Sequence, residues 1–389
     1  MSRKLPVGAL RSKPFEPGVS MPKNLSLARS RAAGRGTFGV LSVCLLVFVA
    51  LGGGCTKKSS PEAQDSTSAS ADSAQGTLQI GLVLDKGGKD DKSFNTAAWE
   101  GTQRAVRELG VKVKDVEAPD DAAFEPAIRT FAERGLPLVI SVGFAQADAL
   151  KKVAPQFPNT KFAIVDAEVD APNVASLMFA EHEGSYLVGY LAGLASTTKT
   201  VGFVGGMETA LIRRFLVAYE AGARAANPQV KVLHNFVGIN MTAWANPTRG
   251  KELALTQIGQ GADIIFQAAG ASGLGVFDAI ADTKNKSVFG IGVDANQNWI
   301  KPGKIITSML KRVDVAVFDV IREVATQKFV PGVRSFGLKD KGVDYAVDEH
   351  NQKLIEPHQA KLEKLREDIL AGRVQVPDYY VQMKAKPKK

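Results

Sequence analysis

The 389-residue chain is poor in the residues that make covalent staples and metal sites: it holds two cysteines, Cys44 and Cys55, and four histidines. That inventory excludes a disulfide-stapled scaffold. The histidines, His182, His234, His350 and His358, stand apart, with no H-E-x-x-H and no cysteine partner, so no metal site is indicated. His182, in EHEG, reads as a loop residue. The Walker phosphate loop is missing, and the glycines of GASGLG do not fall in the register G-x-G-x-x-G, which argues against nucleotide hydrolysis. Ser308 to Lys311 spell S-x-x-K, a nucleophile motif, but its S-D-N and K-T-G partners are absent and this serine is expected to end a strand rather than open a helix.

The chain also lacks an apolar run of the roughly 18 residues that a membrane-spanning helix needs. Its longest run, Phe38 to Leu51, has 14, with a cationic flank before it and Gly52, Gly53, Gly54 and Cys55 after it. This is the pattern of a signal peptide over residues 1–54, and a start at Met21 gives a more usual length. Cys55 at the exit resembles a lipobox cysteine, although Gly52 stands three residues before it and Leu51 one further back. Residues 55–77 then form a Ser- and Ala-rich stretch with nothing apolar to bury, which suits a flexible leash beside a lipid anchor.

The formal charge of +9 invites a nucleic-acid reading. The first 54 residues, however, hold eight Lys or Arg against one acid, Glu16, and subtracting that +7 leaves +2 for the remainder. Phosphate-binding surfaces rely on clustered positive charge, so no nucleic-acid partner is expected.

From Leu78 onward, short β-branched runs alternate with amphipathic stretches, the pattern of parallel sheets covered on both faces by helices. Nine strands are expected, beginning at LQIGLVL (78–84) and ending at KIITSML (304–310). Nine exceed one comfortable sheet and point to two doubly wound α/β lobes, which hold ligands at the carboxyl ends of their strands. Polar residues gather there: Asp85 and KGGKDDKSFN, Asp166, Gly270 to Gly275, Asp294 and Lys311. Any one of them alone reads as a helix cap or solvated loop. Five such positions across both lobes fit a shared cleft better.

In order and spacing, the stretches GLVLDKGGKDDKSFNTAAWEG, FPNTKFAIVDA, FAEHEGSYLVGYLAG, AWANPTRGKELA, IIFQAAGASGLGVFDA, IGVDANQN and TSMLKRVDVAV resemble the basic membrane protein family of PnrA-like, purine nucleoside-binding lipoproteins. The resemblance spans nearly all of residues 78–383. It implies a type I periplasmic-binding-protein fold, with two lobes joined by a multi-strand hinge, that serves an ABC importer with its permease and ATPase subunits in a bacterial cell envelope. The first lobe is expected over 78–176 plus about 312–345, and the second over 179–308 plus the tail to 383. The family pattern implies that Phe94 and Trp244 stack on a base, that Asn95 and Asp166 hydrogen-bond it, and that Asp294, Lys311 and the backbone at Gly270 hold the ribose, with Asp91 in the same site. Asn246 and Asn296 depart from acidic residues common in the family. An Asp294–Lys311 ion pair of purely structural use fits the same sequence. The expected activity is binding without catalysis and without a cofactor. The alternatives are a sugar or other small polar metabolite as ligand, an envelope nucleosidase, and a lobed regulator. The regulator would need a helix-turn-helix domain where this chain has a signal and a leash.

Overall fold

The computed structural model describes residues 77–385. The expected signal peptide, Cys55 and the leash up to residue 76 lie outside the described residues.

Each lobe is built on a six-stranded sheet. The first contains β1 (Gln79–Leu84), β2 (Lys112–Glu117), β3 (Leu138–Val142), β4 (Lys161–Val165), β5 (Val174–Phe179) and β11 (Gly332–Phe336), all parallel, in the order β11-β5-β4-β3-β1-β2. The second contains β6 (Thr200–Met207), β7 (Lys231–Gly238), β8 (Ile264–Ala268), β9 (Phe289–Asp294), β10 (Ile305–Lys311) and β12 (Val343–Tyr345), in the matching order β12-β10-β9-β8-β6-β7. Here β12 is antiparallel to β10. The inner strands are buried on both faces, as LVISV of β3 and IIFQA of β8 are throughout, which is why they read as unbroken apolar runs.

Helices α1 (Phe94–Leu109) and α8 (Val313–Ala325) cover one face of the first sheet, and α2 (Phe124–Glu133) and α3 (Ala147–Val153) the other. In the second lobe α4 (Glu181–Ala195) pairs with α5 (Ala210–Ala226), and α6 (Pro247–Gly259) with α7 (Ser272–Asp282). The short α9 (Gln352–Ile355), α10 (Gln359–Leu370) and α11 (Tyr379–Ala385) follow, with α10 against α4 and α11 against α5. The α4–α5 crossing is close enough that a Cβ on Gly189 would lie 2.2 Å from the Tyr219 carbonyl oxygen, and one on Gly222 equally close to that of Tyr186. One buried apolar cluster runs through both lobes beneath α1, α8, α4 and α5, while separate clusters fill the outer faces. Each fully buried Leu, Ile or Phe contributes about 1.5–3 kcal/mol, so this shared core holds the lobes to one hinge.

All nine expected strands are present, and three more appear. β5 escapes a pattern search because residues 166–173 join it to its parallel neighbour β4 without a helix. β11 is a largely exposed edge strand, and β12 has three residues. The stretch expected to rejoin the first lobe, about 312–345, divides: α8 and β11 join the first sheet, but β12 completes the second, because Val343–Tyr345 pair with the free edge of β10. The chain therefore crosses between lobes three times, at Phe179–Glu181, Lys311–Val313 and Phe336–Val343.

Candidate functional site

A cleft of about 550 Å³ lies between the carboxyl ends of the two sheets. The first lobe contributes Asp85, Gly87, Asp91, Phe94, Asn95, Gly143, Phe144 and Asp166 to its lining. The second lobe gives Leu211, Ile212 and Phe215 from α5, Trp244, and Ala268, Gly270, Val293, Asp294 and Lys311 from strand ends. All eight residues singled out by sequence, Asp91, Phe94, Asn95, Asp166, Trp244, Gly270, Asp294 and Lys311, thus come together at one cavity.

Local geometry explains how these side chains are aimed. Asp166 and Asp294 follow or end equivalent strands, β4 and β9, and both have positive φ, +69° and +64°. Such backbone costs on the order of 1–3 kcal/mol for a non-glycine residue, and here it turns each carboxylate back over the end of its sheet. Gly270 holds φ +56° in the turn after β8. Trp244 sits in the helical turn Met241–Trp244 behind β7. Its indole occupies space that Gly206 leaves open, since a Cβ at Gly206 would lie 2.2 Å from the ring. Across the cleft Phe144 meets the Trp244 ring edge-on, with centroids 6.4 Å apart.

Asp91 works chiefly as a cap. Its two oxygens accept from the backbone N–H groups of Ser93, Asn95 and Thr96 at 2.8–2.9 Å and from Asn95 Nδ2 at 3.0 Å, fixing the start of α1. Asn95 Nδ2 also donates to Asp85 Oδ1 at 2.6 Å, and Asn95 Oδ1 accepts from the Asp85 N–H. With both amide hydrogens engaged, Asn95 offers a ligand only its oxygen.

Lys311 is the cation of the cleft. Its Nζ lies 2.5 Å from Asp166 Oδ2 and 3.2 Å from Glu181 Oε1, and the rings of Phe94, Phe179 and Phe215 surround it at 5.1–5.8 Å. The alternative reading, a structural Asp294–Lys311 ion pair, is not what forms: the ammonium reaches across to the first lobe. Asp294 instead accepts a 2.7 Å hydrogen bond from the Ser93 hydroxyl. Ser93 also donates to the Val293 carbonyl at 3.2 Å and Gln297 Nε2 to the Lys92 carbonyl at 2.8 Å, so four polar contacts span the cleft.

Burial pushes Asp85 and Asp294 up to about 6, Asp85 against its Asn95 hydrogen bond and Asp294 against the pull of Lys311. Burial raises Asp166 to about 7, opposed by Lys311 and reinforced by Glu181 and Asp294. For Lys311 burial alone would lower the value, but Asp166, Glu181 and Asp294 outweigh it and hold the ammonium above its ordinary range. Asp166 Oδ1 is buried with no hydrogen-bond partner. The cleft therefore offers aromatic faces, several acceptor oxygens and one ammonium, a set that recognises a flat ring bearing N–H donors or a group with vicinal hydroxyls.

Sequence reasoning passed over Glu181, Ser93, Phe215, Gly206, Arg214 and Gln297. Glu181 stood in the quoted EHEG stretch, whereas Arg214 lies within an otherwise apolar helix face and carried no signal. His182 is on the first turn of α4 rather than in a loop, and burial followed by the nearby Arg214 pushes its imidazole down to about 4. Ser308 lies inside β10, not at its end, and its hydroxyl bonds Asn298. Asn246 caps α6 and Asn296 bonds Asp348, so both departures serve local structure. Among the described residues no group of three or more His, Cys, Asp or Glu is arranged to hold a metal, and no helix is long and apolar enough to cross a membrane.

Comparison with known proteins agrees with this architecture. The chain is 33% identical over 329 residues to a CD4+ T-cell-stimulating antigen of Listeria innocua, covering 79% of this chain and 90% of that protein. It is 31% identical over 320 residues to the ABC transporter nucleoside-binding protein BmpA of Lactococcus lactis, covering 77% and 89%. A crystal structure of an ABC transporter solute-binding protein from Aeropyrum pernix superposes with a TM-score of 0.70 at 30% identity, covering 77% of this chain and 94% of that one. The type I periplasmic-binding fold is thereby established. Residues 79–379 match the profile of the Bmp family, and the chain belongs to these PnrA-like ABC transporter substrate-binding proteins.

Proposed function

We propose that the cleft captures a nucleoside, with a purine base, and that the closed protein delivers it to an ABC permease and its ATPase subunits at a bacterial membrane, tethered through a lipid on Cys55. The observation that carries this reading is the pairing of Phe94, Phe144, Phe215 and Trp244 with Asp85, Asp166 and Asp294 in one cavity. A purine supplies a π-face for the rings and N–H donors for the acceptors, and a ribose supplies hydroxyls suited to Asp294 and Lys311. Asp166 Oδ1, buried without a partner, favours a ligand that brings a donor.

The cleft also discriminates by charge. Four carboxylates line it against the single Lys311 ammonium, so a nucleoside is accepted where a nucleotide phosphate is repelled. Both lobes line the cleft, so ligand stabilises the closed state by its differential affinity for that state. The protein acts by binding, without a cofactor and without transforming its ligand.

The test is a thermal-shift screen of residues 76–389 against nucleosides, nucleotides, free bases and sugars, with recovery of the bound compound chemically intact. A ligand at a hundredfold its Kd should stabilise the protein by about 2.7 kcal/mol. A shift with nucleosides alone supports the reading. A shift with sugars alone replaces the ligand class, and recovery of cleaved nucleoside replaces binding with catalysis.

A further inference from the structure

The ionic contacts behind the cleft continue past Lys311. Glu181, the first residue of α4 and 1% exposed, lies with Oε1 3.2 Å from Lys311 Nζ and Oε2 2.6 Å from Arg214 Nη1. Arg214, buried on α5, donates from the same Nη1 to the Phe179 carbonyl. Its Nε and Nη2 bind the two oxygens of Asp378 at 2.8 Å each, and the Tyr380 ring lies 4.7 Å from the guanidinium. Asp378 immediately precedes α11, so the partner of this buried arginine comes from the C-terminal end of the described chain.

The placement matters because Phe179 and Glu181 flank Ala180, the middle of the first crossing between lobes. The Ala180 N–H is bonded to the carbonyl of Phe336, at the start of the third crossing. Lys311 begins the second. One guanidinium thus holds both sides of a hinge strand and, through Glu181, the ammonium that faces the cleft. Charges alternate along the series Asp166, Lys311, Glu181, Arg214 and Asp378, so neutralising its outer member leaves the next buried cation under-compensated.

We propose that Arg214, locked by Asp378, is a positioning residue for ligand capture: it fixes Glu181 and the 179–181 crossing so that Lys311 is presented to the cleft, and the C-terminal segment thereby sets how readily the lobes open. The statement about capture rests on reading the cleft as the nucleoside site, and the statement about the hinge does not.

The experiment uses the full-length chain and two readouts: amide hydrogen exchange of the ligand-free protein over 177–183 and 309–314, and the dissociation rate of a purine nucleoside. Asp378→Asn keeps the side-chain shape and removes the charge. It is expected to speed exchange in both segments and nucleoside dissociation about tenfold, leaving association unchanged, and Asp378→Glu should restore most of both. Tyr380→Leu, which removes only the stacked ring, should give a smaller change of the same sign and decides the question if Asp378→Asn does not fold. Asp368→Asn, whose partners Lys364 and Arg373 lie on the surface near α10, should alter neither readout. Unchanged hinge exchange in folded Asp378→Asn, or in Tyr380→Leu where that variant decides, overturns the proposal. If the wild-type protein binds no nucleoside, the ligand reading fails and hinge exchange alone tests the brace.

Discussion

The two lobes repeat one sheet order, yet they furnish opposite halves of the cleft. The first presents Asp85, Asp91, Asn95 and Asp166 beside the rings of Phe94 and Phe144, while the second presents Leu211, Ile212, Phe215, Ala268, Val293 and Trp244 with only two charged groups. The contrast is sharpest at equivalent positions. Asp166 and Asp294 stand at corresponding strand ends in the same unusual backbone conformation, each within a V-D-A tripeptide. By strand register, however, Lys311 on β10 answers to Phe179 on β5. A duplicated scaffold thus acquires polarity through one exchanged residue: the second lobe carries the cation that the first lobe's carboxylate requires. Closure is therefore electrostatic as well as apolar, and neither half of the cleft is balanced alone.

Removing that cation should have the largest effect. Lys311→Met leaves Asp166 and Glu181 buried without their ammonium, and breaking a buried pair in this way costs about 3–5 kcal/mol. Urea denaturation should show the loss, and a change below about 1 kcal/mol would mean that the two lobes are not coupled through this pair.

The apolar half is tested by Trp244→Ala and the polar half of the same lobe by Asp294→Ala. Each should weaken nucleoside binding about a hundredfold, roughly 2.7 kcal/mol, with the free protein still folded. Calorimetric titration measures this, and unchanged affinity in both variants would remove these residues from the site.

Asp85 isolates the first lobe's acidity. Its carboxyl moves from the ordinary 3.8 to about 6 through burial, so the folded protein keeps a proton that the unfolded chain has released. The stability it contributes is full below pH ~4 and lost as pH rises through about 6. Asp85→Asn should flatten that decline, which is on the order of 2–3 kcal/mol. Thermal midpoints of the ligand-free protein between pH 4 and 7 provide the check, and parallel curves for the two proteins would place the titration elsewhere.

The smallest effect belongs to the contact that joins the halves without charge compensation. Ser93→Ala removes the hydrogen bonds to Asp294 Oδ2 and the Val293 carbonyl. A hydrogen bond of this kind is worth about 1 kcal/mol, so nucleoside affinity should fall about fivefold. Dissociation rates should carry the change if Ser93 acts as a latch on closure.

Much of this was legible in the amino-acid order. Inner strands such as LVISV and IIFQA announced themselves because burial on both faces demands unbroken apolar runs. The residues following them were candidates because an open parallel sheet has its crevice at the carboxyl ends. The edge strands β11 and β12 were not legible, since a strand with one free side needs little apolar surface, and β12 owes its place to the exposed edge of β10. The partner of Lys311 was equally hidden: local sequence places Asp294 and Lys311 near adjacent strand ends, but only lobe closure sets Asp166 against the ammonium.

The sequence by itself determined the alternation of strands and helices, the two-lobed architecture and the strand-end residues of the cleft, because burial periodicity and strand-end chemistry are local properties, whereas Trp244 was singled out only through the family resemblance. Tertiary structure alone decided which charges meet across the cleft, which lobe receives residues 343–345, and that Asp378 near the far end of the described chain reaches Arg214. The Lys311–Asp166 and Arg214–Asp378 pairs join segments more than a hundred residues apart, and β12 reaches β10 only after the chain has passed through the first lobe, so no local pattern encodes them.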